Sequence, residues 1–224
     1  RVKTAEDFGK DVKAIELSSL GSEGSPVKMS VGILGATEDK PVTVKVDLGS
    51  GETKPLKVTS EHPATPNIND VRTGSGNIIV YVPQDHYVTT LESDGQYIDN
   101  IDLSALTELR TLSLRNAGLT AIDMGYNNKL EKLDLSGNSL RFVDLRGPSS
   151  YFYKSKLADI DLSHNQLDSI RFNDLYAVRR LNVSHNTLEK LDVSDADNLR
   201  TLDLSYNKFT RVLLNHSELI EDIN

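Results

Sequence analysis

The apolar residues in the second half of the chain recur at a fixed spacing. Five segments align without a gap, and their first residues lie 21, 27, 21 and 21 positions apart, at Leu109, Leu130, Leu157, Val178 and Leu199. Another copy begins 21 residues earlier at Val88, and a shortened one begins 21 residues later at Ile220. In the six copies that start from Val88 to Leu199, positions 1, 4, 6, 11, 14 and 16 are apolar at 35 of 36 places, Ser93 being the exception. The chain therefore contains a repeat with a period of 21 residues.

Positions 4 and 6 of each copy are apolar and flank a polar residue, which is typical of a short strand. One copy cannot bury its apolar side alone, so the copies are expected to stack about 4.8 Å apart around a continuous core. We predict a mainly β solenoid in which each copy contributes one strand to a parallel sheet on the concave side.

Position 9 carries an asparagine in the last four of these six copies, Asn138, Asn165, Asn186 and Asn207. An amide can both donate to and accept from backbone groups where the chain leaves the strand. We predict that the stacked amides form a buried structural ladder. Gln96 and Ala117 occupy the same position in the first two copies, so the ladder is expected to begin at the third.

The return path of each copy is short. Only about 15 residues follow position 6, which is too few for a full helix and its connections. Apolar residues alternate again at positions 14 and 16, in the pairs Ile122 and Met124, Val143 and Leu145, Ile170 and Phe172, and Leu191 and Val193. We predict little convex helix and a second narrow sheet on that side.

Residues 1–87 lack the repeat but contain short segments typical of strands. These segments are Val12–Leu17, Val27–Leu34, Val42–Leu48, Leu56–Ser60 and Ile78–Val82. A hairpin turn is expected at Gly49–Glu52, because glycine tolerates positive φ, and a loop at His62–Asn67. We predict a small antiparallel β-sandwich-like domain over residues 1–87 that caps a solenoid over residues 88–224. Since the repeat restarts at Ile220, we expect the natural chain to continue beyond Asn224.

Segments such as LTAIDMGYNNKLEKLDLSGNSL, with the pattern LxxLxLxxNxL, resemble the leucine-rich-repeat family over about 60 per cent of the chain. The 21-residue form is similar to repeats of secreted and surface proteins of Bacteroidetes and to the short repeats of internalins. The resemblance implies a bacterial protein that is extracellular or anchored at the outer membrane and that acts in recognition or adhesion. It also implies a small β domain before the repeats.

The outward positions 3 and 5 of the predicted sheet carry polar side chains that are candidates for partner binding. They include Lys132, Asp134, Asp159, Asp161, Arg180, Asn182 and Asp203. A curved array of this kind can present a wide surface to a protein or polymer. The alternative, that this face is only solvated, stays open because aromatic anchors are scarce on it.

Position 8 holds His164, His185 and Tyr206 in three consecutive copies, so these rings are also candidates for partner contacts. The two histidines together with Asp161 lack a third firm metal ligand, and surface histidines are the preferred interpretation. Asp134, Asp161 and Asp203 stack in the same way, but no calcium-loop motif accompanies them. We therefore predict no metal site.

Six extra residues lengthen the third of the six copies, within Arg146–Lys154. This segment contains Tyr151, Phe152 and Tyr153, and insertions in solenoids form loops that often carry function. Either these rings bind a partner or they cover the widened gap between copies.

Composition narrows the function further. A net charge of −8 with scattered basic residues argues against nucleic acid as a partner. The longest apolar run, Ile78–Val82, is far shorter than the roughly 20 residues of a membrane span. Cysteine is absent, and no catalytic or phosphate-binding motif is present.

We expect a non-enzymatic module without a cofactor that binds a protein or a glycan. The alternative is a spacer or stalk of a larger surface protein.

Overall fold

The computed structural model describes residues 12–19, 21–146, 155–172, 174–214 and 219–223. Within these ranges the chain forms eighteen strands and no α-helix. The strands are β1 (Val12–Ser18), β2 (Pro26–Ile33), β3 (Val42–Leu48), β4 (Thr53–Val58), β5 (Ile68–Val71), β6 (Ile78–Pro83), β7 (Val88–Asp94), β8 (Asn100–Ile101), β9 (Thr111–Arg115), β10 (Lys132–Asp134), β11 (Phe142–Asp144), β12 (Asp159–Asp161), β13 (Ser169–Arg171), β14 (Arg180–Asn182), β15 (Lys190–Val193), β16 (Thr201–Asp203), β17 (Arg211–Leu214) and β18 (Asp222–Ile223).

The N-terminal part contains a five-stranded antiparallel sheet in the order β4-β3-β6-β1-β8. The prediction of a small antiparallel β domain is confirmed. Strands β1, β2, β3 and β6 lie close to their predicted bounds. The fourth predicted segment is shifted, because β4 begins at Thr53 and ends at Val58. The hairpin turn lies between β3 and β4, where Gly49 and Gly51 both have positive φ. The short strand β5 was not predicted.

The repeats form the predicted parallel sheet, and each copy makes one coil of the solenoid. Strands β7, β9, β10, β12, β14, β16 and β18 follow one another in register. Position 4 pairs with position 4 throughout, for example Leu112 with Leu133 and Leu133 with Ile160. The six extra residues therefore do not shift the register of the sheet.

The repeat sheet continues directly into the N-terminal part. Strand β2 pairs antiparallel with β7, the first repeat strand, and β5 follows as the outermost strand of a nine-stranded sheet. At this junction Gly32 lies against the backbone of Glu61, whose carbonyl group any Cβ would overlap. Strand β2 thus occupies the edge of β7 that would otherwise be open. Whether residues 1–87 form a separate capping domain stays a prediction.

The core is one hydrophobic cluster that runs through both parts of the chain. Leu114, Leu135, Leu162 and Val183, all at position 6, are completely buried. In the last full coil Leu199 and Leu202 are still buried, but the later apolar residues are only partly buried, namely Leu204, Phe209, Val212 and Leu214. Stacking on both sides therefore buries the inner coils more completely than the last one.

The convex side carries short strands, but the prediction of one narrow sheet was wrong. Strand β11 pairs with β13, and β15 pairs with β17, which gives two separate parallel pairs. Ile122 and Met124 lie outside any strand. Between the pairs is an open cavity of about 410 Å³, whose walls include Ile170, Phe172 and Leu191. Coils of a curved solenoid lie farther apart on the outside, so not every neighbouring pair reaches hydrogen-bonding distance.

Candidate functional site

The concave sheet forms an open groove that brings together seven of the residues predicted to bind a partner. The groove has a volume of about 390 Å³, and its walls include Lys132, Asp134, Asp159, Asp161, Arg180, Asn182 and Asp203. These side chains meet because positions 3 and 5 of β10, β12, β14 and β16 are paired in register. Alternate residues of a strand point to the same face, so the polar positions face outward while position 4 enters the core.

Three carboxylates run across the groove at position 5, and we call Asp134, Asp161 and Asp203 the acidic row. In each coil one carboxylate oxygen, Oδ1, accepts hydrogen bonds from the backbone N and the Oγ of the serine two residues later. The N···O distances are 2.9–3.0 Å and the O···O distances are 2.6 Å. In the coil between Asp161 and Asp203, position 5 is Asn182, and its Oδ1 accepts from the N of Ser184 at 3.0 Å. One oxygen of each carboxylate thus holds the turn that ends the strand.

The second oxygen, Oδ2, is less engaged. Oδ2 of Asp161 accepts a long hydrogen bond of 3.4 Å from Asn182, and Oδ2 of Asp134 lies 3.6 Å from Nε of Arg115. For Asp203, no partner of Oδ2 is found in the part of the chain that the structure describes. The row therefore presents carboxylate oxygens toward the groove in fixed orientations.

Arg180 in the groove and Arg115 beside it are already paired with carboxylates. Arg180 binds Asp159 through two hydrogen bonds, Nε to Oδ1 at 2.6 Å and Nη2 to Oδ2 at 3.1 Å. This hydrogen bonding lowers the pKa of Asp159 below its ordinary value, although partial burial opposes the effect. Arg115 lies between Asp94 and Asp134, with its nitrogens 3.7 and 3.6 Å from their carboxylates. Apart from the cation of Lys132, the groove charge left without a close partner is therefore negative.

The three rings at position 8 lie directly beside the groove as a continuous stack, which we call the ring ladder. The ring centroids of His164 and His185 are 4.1 Å apart with an interplanar angle of 13°, and those of His185 and Tyr206 are 4.1 Å apart at 15°. All three residues are exposed, and Tyr206 is 75% exposed. Neighbouring coils thus fix the rings parallel to one another.

Position 8 has a left-handed backbone in every full coil. Its φ values are 53° at His164, 52° at His185 and 54° at Tyr206. The preceding coils meet the same requirement with Asn116 at 50°, Gly137 at 71° and Gly95 at 76°. Glycine adopts this conformation freely, asparagine and histidine adopt it more often than most residues, and other side chains rarely do. The sequence analysis did not predict this conformation, although the two glycines and the asparagine at position 8 are residues typical of a left-handed backbone.

The asparagines at position 9 turn inward, one residue after the rings. The Nδ2 of Asn186 donates to the carbonyl oxygens of Leu162 and Val183 at 3.0 and 3.1 Å, and its Oδ1 accepts from the N of Leu167 at 2.9 Å. Asn138, Asn165 and Asn207 make the equivalent cross-coil bonds. Each amide therefore joins its own coil to the preceding one.

Sequence reasoning also missed a wall at the N-terminal end of the concave face. The loop after β4 reaches over β7, where Oγ1 of Thr90 donates to the carbonyl oxygen of Glu61 at 2.7 Å and lies 2.9 Å from Nδ1 of His62. The carboxylate of Glu61 lies 3.6 Å from Nη1 of Arg110. These contacts join distant parts of the chain, so no local pattern could reveal them.

The remaining predictions concern metal ligands, the insertion and membrane spans. The described ranges contain no group of three His, Cys, Asp or Glu side chains that could share a metal ion. Tyr151, Phe152 and Tyr153 of the insertion lie outside the described residues. No helix long and apolar enough to span a membrane occurs among the residues that the structure describes.

Comparison with known proteins identifies the repeats. Two leucine-rich-repeat family models match, one at residues 198–219 and the other at residues 126–145. No curated protein matches the sequence.

Two solved structures that partly match this chain are the following. The functional domain of InlJ from Listeria monocytogenes, described as including a cysteine ladder, is 26% identical with a TM-score of 0.40. The match covers 55% of this chain and 31% of that one. The leucine-rich repeat domain of APL1B is 22% identical with a TM-score of 0.34, over 61% of this chain and 53% of that one. The chain thus spans less than two thirds of either structure. With its two matched segments and in-register coils, the second half of the chain is a solenoid of leucine-rich repeats, and such repeats generally serve in protein-interaction modules.

Proposed function

We propose that this chain is a non-enzymatic recognition module that binds a protein, or alternatively a glycan, on its concave face. The observation that carries the proposal is the groove of about 390 Å³ that collects seven outward polar side chains from four adjacent coils. Their chemistry varies at position 3, from Lys132 to Asp159 to Arg180 to Thr201. Varied side chains on a rigid, regular backbone support a surface with a specific partner.

A binding role accounts for the carboxylates better than a catalytic role. In each member of the acidic row, Oδ1 is held by the serine of the following turn. A general acid or base needs a free oxygen near a reacting group and a pKa adjusted to the reaction. In the groove, the hydrogen bonds from Arg180 lower the pKa of Asp159, which keeps this carboxyl group ionised at neutral pH.

The proposal can be tested by capture followed by measurement with purified components. The immobilised chain is exposed to surface extracts and culture fluid of its source organism and the neighbouring cells, and to a glycan array. Each captured molecule is then purified or synthesised, and its dissociation constant is measured by titration calorimetry. A triple variant, Lys132→Ala with Asp159→Ala and Arg180→Ala, removes the outward side chains of position 3 from three coils.

A matched control lies on the convex side. Glu189, Lys190 and Arg211 are exposed and carry the same set of charges, so their triple alanine variant changes the net charge equally. We expect the groove variant to weaken binding by at least about tenfold, equivalent to about 1.4 kcal/mol, and the convex variant to leave binding unchanged. Equal affinities for both variants would overturn the concave-face assignment.

The alternative function is a structural spacer within a larger protein. The repeated Asp-Ser turns favour it, because they explain the acidic row by the fold alone. For a spacer, replacing all groove side chains with serine or threonine at constant coil number would preserve the activity of the whole protein. Loss of activity after that exchange would exclude the spacer.

We further propose that the chain acts outside the cell or at the cell surface. The support is the likeness of its 21-residue repeats to those of bacterial surface proteins. Protease treatment of intact cells tests this proposal. A surface protein is digested before the cells are lysed, whereas survival of the full-length protein until lysis would contradict the surface location.

A further inference from the structure

Two charges near the middle of the groove have no partner of opposite charge, and we call Lys132 and Asp161 the open charges. Lys132 is exposed, and among the described residues it forms no ion pair, since its charge acts on Asp159 only through space. In the described contacts Asp161 accepts only from neutral groups, namely the N and Oγ of Ser163 and, at 3.4 Å, Nδ2 of Asn182. A partner could supply both missing counter-charges.

The other charges in this part of the groove are already compensated. Arg180 donates to both oxygens of Asp159, and Nε of Arg115 lies 3.6 Å from Oδ2 of Asp134. Asp203 also lacks a cation among the described residues, but it lies in the last full coil. The open charges belong to β10 and β12, each of which has a paired strand on both sides. Their exposure therefore follows from the concave face itself.

The register of the sheet sets the spacing of the open charges. Lys132 lies opposite Asp159, and Asp161 is two residues further along β12. Neighbouring strands are about 4.8 Å apart and two residues span about 6.6 Å, so the two Cα atoms are roughly 8 Å apart.

An extended segment can match this spacing. Its residues at positions i and i+2 lie on one side, about 6.6 Å apart, and long side chains bridge the small difference. On a helix, same-side neighbours are only about 5–6 Å apart. The extended form therefore fits the open charges better.

We propose that the concave face recognises an extended segment of a protein partner in which an acidic and a basic residue are two positions apart. The acidic side chain pairs with Lys132. The basic side chain donates to Oδ2 of Asp161, which is oriented because Ser163 holds Oδ1. A segment with two like charges would be repelled by one of the open charges, so the arrangement gives selectivity. This inference rests on the proposed function and names the chemistry of its partner.

Four synthetic peptides with blocked termini and a glycine-serine background serve as probes. One carries glutamate and arginine two positions apart, and a second has the same composition with the two residues adjacent, so that they point to opposite sides. The third and fourth carry two glutamates or two arginines, two positions apart. Binding to the full chain is followed by NMR titration of the backbone amides of Ser163 and Asn182. We expect the spaced glutamate-arginine peptide to bind about two- to fivefold more tightly than each of the others, the contribution of one exposed ion pair.

Two variants change the open charges one at a time. Lys132→Glu replaces the cation by an anion, and this variant should bind the two-arginine peptide most tightly. Asp161→Asn removes only charge, because the amide oxygen of Asn182 at the same position also accepts from the following serine. This variant should no longer distinguish the spaced glutamate-arginine peptide from the two-glutamate peptide. The convex triple alanine variant should keep the peptide order of the unaltered chain, and circular dichroism checks that each variant is folded.

The outcomes separate this inference from the proposed function. Equal binding of all four peptides, no measurable binding, or an unchanged peptide order in both variants of the open charges would each overturn the inference. A captured protein that depends on the outward side chains of position 3, but binds the Asp161→Asn variant as tightly as the unaltered chain, would also overturn it. In that last case the concave-face function stands.

Discussion

Positions 8 and 9 of the repeat are neighbours in the chain, yet their surroundings are opposite. His185 is exposed and stacks on the rings of adjacent coils, while Asn186 is 7% exposed and bonds to the backbone of two coils. The same pair recurs as His164 with Asn165 and as Tyr206 with Asn207. In each turn, the side chain at position 9 satisfies buried backbone groups, whereas the neighbouring side chain at position 8 satisfies none.

The difference follows from the number of backbone groups that each side chain satisfies. Asn186 donates to three carbonyl oxygens and accepts from one N–H group inside the solenoid, where water cannot replace it. The rings at position 8 make no side-chain hydrogen bond to the backbone among the described contacts. Substitutions at position 9 should therefore lower stability more than exchange of the rings at position 8 does.

The largest effect is expected from Asn186→Leu. Leucine is similar in size but leaves the N of Leu167 without its partner. The carbonyl oxygens of Leu162 and Val183 each lose one donor and keep another, from Asn165 and Asn207. A buried unpaired group costs about 1–3 kcal/mol, so the free energy of unfolding should fall by at least that amount. Urea unfolding followed by circular dichroism measures the loss.

Asn207→Leu provides the matched control at the last full coil. Asn207 makes the same bonds but is only partly buried, so water can replace part of what the amide supplies. The loss should be clearly smaller than for Asn186→Leu. Equal losses at the two sites would mean that burial does not set the strength of the asparagine ladder.

A smaller effect is expected at position 8 itself, from Gly137→Ala. Gly137 has φ 71°, and a Cβ there would overlap the side-chain oxygen of Asn116, whose Nδ2 donates to Asp94 at 2.7 Å. The left-handed conformation alone costs about 1–2 kcal/mol for a residue with a Cβ. Gly125→Ala is the control, because Gly125 lacks a positive φ and a Cβ there would meet only Asp123, at 3.2 Å. If both substitutions lower the melting temperature equally, position 8 imposes no special conformation.

The sequence predicted the structural role of position 9 but not the conformation of position 8. Asn138, Asn165, Asn186 and Asn207 stand out because a polar residue recurs among buried positions, and a buried amide must be satisfied. Position 8 holds glycine, asparagine, histidine or tyrosine in different coils, so no single residue type runs through all of them. The common property is the backbone angle, which the structure reveals directly.

Contacts between distant segments were the least predictable part of the fold. The repeat determines which residue of a coil faces the next coil, so the register from β9 to β18 follows from the periodicity. Nothing of this kind relates β2 to β7, because two unrelated strands can pair in many registers. The contacts of Glu61 and His62 with Thr90, and the pairing of β5 with β2, likewise join segments that no local pattern relates.

Replacing the whole ring ladder with asparagine should change stability little. Asparagine relieves the strain of three larger residues in the left-handed region, while two ring contacts worth about 0.5–1.5 kcal/mol each are lost. Because the two effects oppose each other, the free energy of unfolding should change by less than about 1 kcal/mol. Urea unfolding of the variant measures this change directly. A loss comparable to that of Asn186→Leu would show that the rings support the fold.

The smallest effect is expected from Arg180→Gln at the exposed position 3, and its signature is pH dependence. Arg180 lowers the pKa of Asp159 chiefly through its side-chain hydrogen bonds. A carboxyl group with a lowered folded-state pKa stabilises the fold above its unfolded-state pKa of about 3.9. That contribution disappears as the pH falls through the folded-state value. The variant should therefore be slightly less stable than the unaltered chain at neutral pH, and the two unfolding curves should converge below about pH 3.9 as Asp159 becomes protonated. Urea unfolding across this range, repeated at high salt to screen the pair, measures the difference. A difference that stays constant from neutral to acidic pH would assign the effect of Arg180 to packing, and the pairing with Asp159 would then add nothing to the fold.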